Sequence, residues 1–293
     1  MIYNVRHRTR YRYDYAVAAS QHSVRLLPVA RPGLEVFAAH LHIEPQPGER
    51  HERTDFFGNR IVSIAFDVPH RSLEVTMQSH VQVRAVRTPD AIDTPPWEKV
   101  RELSTTSIDL GPGSPVHGLF ASRNVVLAPE ITAYAAASFP EGRPVLAGAL
   151  DLMHRIKRDF TYESGATVVT TSPGEAFRLR RGVCQDFAQV FIAGLRGLGL
   201  PALYVSGFLR TVPPPGRPRL EGADATHAWV LAWCGDGAGW VGLDPTNDVL
   251  AGEDHITIAV GRDYADVAPV DGVIVSAGEH RLEVEVDVVP ESA

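Results

Sequence analysis

The chain has only two cysteines in 293 residues, Cys184 and Cys234, and no Cys-x-x-Cys pair. That rules out a disulfide scaffold, a cysteine-based structural zinc site and a dithiol redox centre, so any cysteine chemistry is single-thiol chemistry. Runs of 18 or more apolar residues are absent as well, which removes the usual signal for a membrane-spanning helix. No glycine-rich phosphate loop follows a suitable strand, so nucleotide dependence has no support. Gly and Pro, 25 and 22 residues, are too few for a collagen-like or globally disordered chain. The formal charge of −7 offers no general attraction to phosphate backbones or anionic membranes. Met1 runs straight into the polar, alternating MIYNVRHRTRYRYDY rather than an apolar leader. The expectation is a cytoplasmic protein with no membrane partner.

What is present begins with a strand pattern. Tyr3, Val5, His7, Thr9, Tyr11, Tyr13 and Tyr15 alternate with Asn4, Arg6, Arg8, Arg10, Arg12 and Asp14, the period of a half-buried strand. Segments 34–43, 60–67 and 72–86 follow, separated by Pro/Gly turns, and predict an all-β sandwich or small barrel over 1–86. The proline-rich 87–97, RTPDAIDTPPW, reads as a linker, and 98–293 as a second, α+β domain. Within it, helices are predicted from Pro129 and Pro144, and the Ser172-Pro173-Gly174-Glu175 capping pattern opens a third. A further helix starts at or beside Cys184, with Phe187, Val190, Phe191, Gly194, Leu195 and Leu198 as its apolar stripe. Strands at 202–209, 225–233 and 240–243 and a closing strand around 282–288 complete the reading of a central helix against an antiparallel sheet.

Residues 1–31 carry six arginines against Asp14, a local charge of +5, which leaves −12 for the rest. Alternation sets the four close arginines, Arg6, Arg8, Arg10 and Arg12, opposite the tyrosines, so a solvated strand face explains them better than an RNA-binding surface, and no nucleic-acid partner is expected. His40 and His42 share a strand face but lack a third ligand, so no metal site is predicted. No oxygen-ligand loop of recognisable spacing suggests calcium, and no cofactor is expected.

Three residues carry the chemistry. Cys184 lies at a predicted helix start, where unpaired backbone N–H groups and the positive helix end stabilise a thiolate. His227 sits on the 225–233 strand, 43 residues on, and Asp244 ends a strand 17 residues later. Alone each has a structural explanation: a small buried hydrophobe, a packed strand histidine, an Asp-Pro turn. Together they supply a nucleophile, a base that can return a proton to a leaving amine, and a carboxylate that fixes the imidazole. The Cys184 backbone N–H is the first candidate oxyanion donor, with Tyr162 as a possible second. Cys234, beside a hairpin turn, reads as structural.

GVCQDFAQVF (182–191), GLPALYVSGF (199–208), THAWV (226–230), GWVGLDPTN (239–247) and HITIAVGRDYADVAPVDGV (255–273) resemble the bacterial transglutaminase-like family of the papain-like superfamily. The β-rich front resembles the N-terminal region that precedes its catalytic domain. The resemblance implies a papain-like core, with Cys184 as nucleophile, His227 as base and Asp244 as orienting acid. It also implies attack on a glutamine side-chain, peptide or isopeptide amide, a thioester, and release to an amine acceptor or to water. The competing reading is a catalytically silent papain-like scaffold that binds peptides. Gln185, Arg262 and Asp263 are candidates for supporting the site or positioning substrate, and the Pro-rich 210–223 is a candidate gate. Oligomeric state is left open.

Overall fold

The computed structural model describes residues 1–211 and 225–291. Six strands lead: β1 (Ile2–Val17), β2 (Ala19–Val24), β3 (Leu34–Glu44), β4 (Glu49–Thr54), β5 (Arg60–Phe66) and β6 (His70–Val83). Then come α1 (Trp97–Thr105), α2 (Pro129–Ala136), α3 (Val145–Asp159), β7 (Thr161–Tyr162), α4 (Pro173–Leu179), β8 (Arg181–Gly182) and α5 (Cys184–Gly197). The remainder is β9 (Ala202–Leu209), β10 (Ala225–Trp233), β11 (Trp240–Asp244), β12 (Val249–Leu250), β13 (His255–Gly261), α6 (Tyr264–Val267), β14 (Val270–Val275) and β15 (His280–Pro290). The fold is α+β, an all-β front followed by a core of mixed helix and strand. No helix among the described residues is long and apolar enough to cross a membrane.

The period-two pattern of β1 is realised in space. Tyr3, Val5, His7, Thr9 and Tyr13 are buried, while Arg8 reaches Glu285 on β15 and Arg10 reaches Glu74 on β6. Two four-stranded sheets form the front sandwich, β15-β1-β6-β3 and β14-β2-β5-β4. Sheet membership therefore departs from the 1–86/98–293 division: the C-terminal strands β14 and β15 pair with β2 and β1 and complete the front sandwich. A sequence window sees each strand's own alternation, whereas the partner is set by long-range burial. The stretch 87–97 is also more than a spacer, since Thr94 is buried and its hydroxyl accepts the Leu146 N–H at 3.2 Å.

The second unit is the five-stranded sheet β12-β11-β10-β9-β13, with α5 packed on it. α5 is buried without a break from Asp186 to Arg196. Such a helix is enclosed rather than amphipathic, with α2 and α4 covering the side turned from the sheet. Its start is set locally. The Ser172/Glu175 capping box opens α4, Arg180 closes it at φ 53°, and Arg181–Gly182 pairs with Thr161–Tyr162 just before Cys184.

The two units share a core. Phe208, Ile256 and Ile258 of the five-stranded sheet lie among the buried residues of the sandwich, and His7 stacks on Phe208 at 5.4 Å. The edge strand β13 is held at both ends. The Tyr3 hydroxyl donates to Asp254 at 2.8 Å, and the fully buried Asn59 amide both donates to and accepts from the Val260 backbone, at 2.7 and 2.8 Å.

Candidate active site

Cys184 is the first residue of α5, partly exposed, and its position depends on Gly182 and Asp186. Asp186 is buried and curls back to accept the Val183 N–H at 2.8 Å and the Thr167 hydroxyl at 2.7 Å. A Cβ at residue 182 would sit 2.5 Å from that carboxylate, so glycine is what lets the cap close. Burial pushes the Asp186 carboxyl up, opposed by those hydrogen bonds.

His227 and Asp244 meet because β10 and β11 are antiparallel neighbours, with Val230 opposite Leu243. His227 Nε2 lies 2.8 Å from Asp244 Oδ2 in a buried contact. Nε2 being committed to the carboxylate, Nδ1 is the nitrogen left for the Cys184 thiol. Burial works to lower the His227 pKa, but hydrogen bonds and charge from Asp244 and Cys184 outweigh it and raise the value to about 9. Trp229, two residues along, stacks on the imidazole at 6.1 Å and presents a π face to the imidazolium.

Asp244 is fully enclosed and saturated with donors. Oδ1 accepts the backbone N–H of Thr246 at 2.9 Å and of Asn247 at 3.2 Å. Oδ2 accepts from His227, from the Asn247 side-chain amide at 2.7 Å, and from His255 Nε2 at 3.1 Å. Burial alone would raise this carboxyl, but the donors hold it far below the ordinary carboxylate range. It stays an anion and orients the base rather than taking its proton.

The supporting candidates separate in space. Tyr162 lies beside the thiol: it is 54% exposed, and burial followed by the Cys184 charge raises its pKa, while Ser164 bonds to its oxygen. Gln185 donates to the Val169 carbonyl at 3.0 Å, so its amide ties the 163–171 segment to the helix start. Arg262 and Asp263 have no contact with the triad. Arg262 pairs with Asp266 at 2.8 Å, and Asp263 caps α6 and accepts the Asn124 N–H at 2.6 Å. The Arg262 carbonyl accepts from Arg196 at the far end of α5, about 18 Å of helix from Cys184. Arg262 thus braces the helix C-terminus, where buried Arg196 finds its carbonyl as an acceptor, while Asp263 ties Asn124 to α6. Of the candidate gate 210–223, residues 212–223 lie outside the described residues.

His255 and Asn247 belong to the site; in the sequence, Asp254-His255 after Asn247-Asp248 is a polar cluster that turn formation or packing would explain equally well. Asn247 follows the Asp-Pro turn, and His255 opens an apolar strand, a polar residue where alternation alone gives no reason for one. Donor atoms of His227, Asp244 and His255 lie within 4.8 Å of one another, a spacing that could hold a metal ion. Each of those atoms is already engaged in a hydrogen bond, and the Asn247 amide, which can only donate there, occupies the same Oδ2. The donor set is therefore spent on holding a carboxylate. Cys234 is fully buried, and burial pushes its thiol up to about 12.

Residues 3–82 match the bacterial transglutaminase-like N-terminal region, and residues 133–245 match the transglutaminase-like superfamily. An uncharacterized protein of Mycobacterium tuberculosis is 42% identical, the alignment covering 98% of this chain and 92% of that one. Another from Mycobacterium leprae is 32% identical, with 96% of each chain covered. A crystal structure from Cytophaga hutchinsonii, provisionally assigned as a cysteine protease, superposes with a TM-score of 0.74 at 21% identity, covering 100% of this chain and 93% of that chain. At that identity the likeness establishes the fold.

Proposed function

The chain belongs to the transglutaminase-like superfamily and carries the bacterial transglutaminase-like N-terminal region, and from that premise we propose that it is a cysteine-dependent enzyme acting on amides through a thioester. The observation that carries this reading is the imidazole of His227, held between an anionic, five-donor Asp244 and the thiol of a helix-start cysteine. A protein that only bound peptides would have no need for a charged histidine at 7% exposure.

The chemistry follows from the geometry. The Cys184 thiol gives its proton to His227 Nδ1, and the resulting imidazolium is stabilised by Asp244. The thiolate attacks the amide carbonyl, and the oxyanion is met by the Cys184 backbone N–H, which as the first helical residue has no i−4 carbonyl within α5. The Tyr162 hydroxyl, its oxygen already bonded by Ser164, supplies the second donor. Collapse breaks the C–N bond as His227 protonates the leaving amine, leaving a thioester on Cys184. An incoming amine or water then gives a proton to His227, attacks the thioester and releases the thiol. No step requires a cofactor. The substrate is a protein or peptide amide, a glutamine side chain, a peptide bond or an isopeptide. A reducing compartment keeps the thiol available, which is the ground for proposing a cytoplasmic location.

The test uses a library of acyl donors with labelled amine acceptors, read by mass spectrometry. A Cys184-linked acyl adduct is expected, absent from Cys184→Ala, and the ratio of amine-labelled to hydrolysed product separates transferase from hydrolase. No adduct, together with a thiol that reacts like an ordinary cysteine, would sink the enzyme reading in favour of a peptide-binding scaffold.

A further inference from the structure

Three donors converge on Asp244 Oδ2, and only one of them, His227, belongs to the proposed proton path. His255 is the other imidazole. Its two ring nitrogens have opposite partners: Nδ1 accepts the Gly252 N–H at 3.2 Å, and Nε2 faces Asp244 at 3.1 Å. A backbone N–H aimed at Nδ1 requires a lone pair there, so in the neutral ring the proton resides on Nε2 and is donated to the carboxylate. The ring is buried, wedged against the edge of Trp229 at 5.2 Å, and the short Gly252–His255 turn is closed by a backbone hydrogen bond of 3.0 Å. The contact is therefore fixed in tautomer and in rotamer.

The strand that carries His255 is the one the front sandwich holds. Asp254, its neighbour, accepts from Tyr3 on β1. Ile256 and Ile258 enter the sandwich core, and Asn59 pins Val260. A rigid element anchored in one unit thus presents a hydrogen-bond donor to the catalytic carboxylate of the other.

We propose that His255 is a positioning residue whose Nε2–H locks the Asp244 carboxylate against His227, and that the front sandwich sets its place through β13. This rests on the acyl-transfer reading. It gives the N-terminal region a role in reactivity that does not require it to touch substrate. His255 fixes the direction of Oδ2, and through it the His227 ring that serves the thiol.

The experiment is alkylation of Cys184 in the full chain by iodoacetamide from about pH 5 to about pH 10, quantified by peptide mass spectrometry, with buried Cys234 as the internal unreactive thiol. Wild type is compared with His255→Gln and His255→Asn. The glutamine amide nitrogen reaches the Nε2 position and keeps the donation to Asp244. The asparagine side chain ends near Nδ1 and keeps only the Gly252 contact. Wild type is expected to be alkylated much faster at partly exposed Cys184 than at buried Cys234, with a change near pH 9 as His227 loses its proton. His255→Gln should stay within about threefold of that profile, and His255→Asn should lose about tenfold on its low-pH arm, the worth of one hydrogen bond to a charged group. An asparagine variant as reactive as wild type overturns the proposal. Equal losses in both variants also overturn it, because packing rather than donation would then be the histidine's contribution.

Nitrogen NMR of the wild-type ring checks the same point with no variant to fold: the Nε2–H tautomer is expected, and an Nδ1–H ring overturns the proposal. Should wild-type Cys184 itself lack raised reactivity, the acyl-transfer reading fails and this proposal falls with it. Raised reactivity with unaltered His255→Asn kinetics removes this proposal alone.

Discussion

Histidines are buried in both halves of the molecule, and they face opposite ways in proton affinity. In the front sandwich His7 is 1% exposed and His22 8%, and burial drives the pKa of each down to about 4. His227 is as deeply placed at 7%, yet its value rises to about 9. Burial is therefore common to all three, and the carboxylate decides the sign. His7 stacks on Phe208 and, among the described residues, has no charged neighbour acting on it; His22 has Phe66 and His70 beside it and an opposing pull from Asp271. His227 has Asp244 at hydrogen-bond distance and a thiol besides. The same side chain is a neutral filler in one core and a charge carrier in the other.

The largest expected effect comes from removing the difference. Asp244→Asn keeps the shape but withdraws the anion, so His227 should titrate below 6.5 and Cys184 alkylation near neutral pH should fall by about a hundredfold or more. NMR titration of the ring and the alkylation rate read the two consequences separately. A His227 that still titrated near 9 would show that the carboxylate is not the cause.

Acid should act on the other region. A histidine whose folded value is depressed favours folding only while neutral, so its contribution is lost as pH falls from 6.5 toward about 4. Each of His7 and His22 can withdraw at most about 3 kcal/mol over that window. His227 runs the other way, its pairing fully present below 6.5 and lost as pH rises through about 9. His7→Phe should accordingly flatten the decline in melting temperature between pH 6.5 and pH 4.5. An unchanged decline would remove His7 from the account.

The half that holds the Cys-His-Asp cluster was more legible than the sandwich, for a physical reason. Chemistry needs particular residue types at helix starts and strand ends, and Cys184, His227 and Asp244 stood out by type and spacing. The helices from Pro129, Pro144 and Ser172 announced themselves through caps and periodicity. In contrast β4, Glu-Arg-His-Glu-Arg-Thr, is exposed along its whole length and has no alternation to read. The pairing of β15 with β1 joins residues such as Tyr3 and Pro290, a distance over which no local pattern carries information. His255 shows in the sequence only as part of a polar cluster with Asn247, Asp248 and Asp254, which turn formation or packing would explain equally well. Arg262 and Asp263 were chosen for density of charge; the Arg262 carbonyl accepts from buried Arg196, and Asp263 accepts the Asn124 N–H.

A middle-sized effect is expected at Gly207, which lies opposite His227 on β9. A Cβ there would approach the Ile256 carbonyl to 2.2 Å and the Trp229 ring to 2.5 Å, so the strands beneath both imidazoles would have to part. Gly207→Ala should cost about 1–3 kcal/mol in thermal or urea unfolding, and because the displaced ring is Trp229, its fluorescence should change with it. A variant as stable as wild type would mean that β9 and β13 yield more easily than their shared hydrogen bonds suggest.

The smallest effect sharpens the comparison most. Glu74 on β6 also faces a cation, Arg10, at 2.6 Å, as close as any contact Asp244 makes. Its side chain is 23% exposed and its partner 28%, whereas Asp244 is fully enclosed. In water-accessible surroundings two opposite charges at that distance gain little beyond what hydration already gives them, and holding two long side chains together costs rotamer freedom. Glu74→Gln should therefore change stability by less than about 1 kcal/mol, and added salt should remove most of that difference. Distance is then not what separates the two carboxylates. If Glu74→Gln proved as costly as Asp244→Asn, the explanation by burial and donor count would be wrong, and the acidic residue opposite a cation would matter equally wherever it lay.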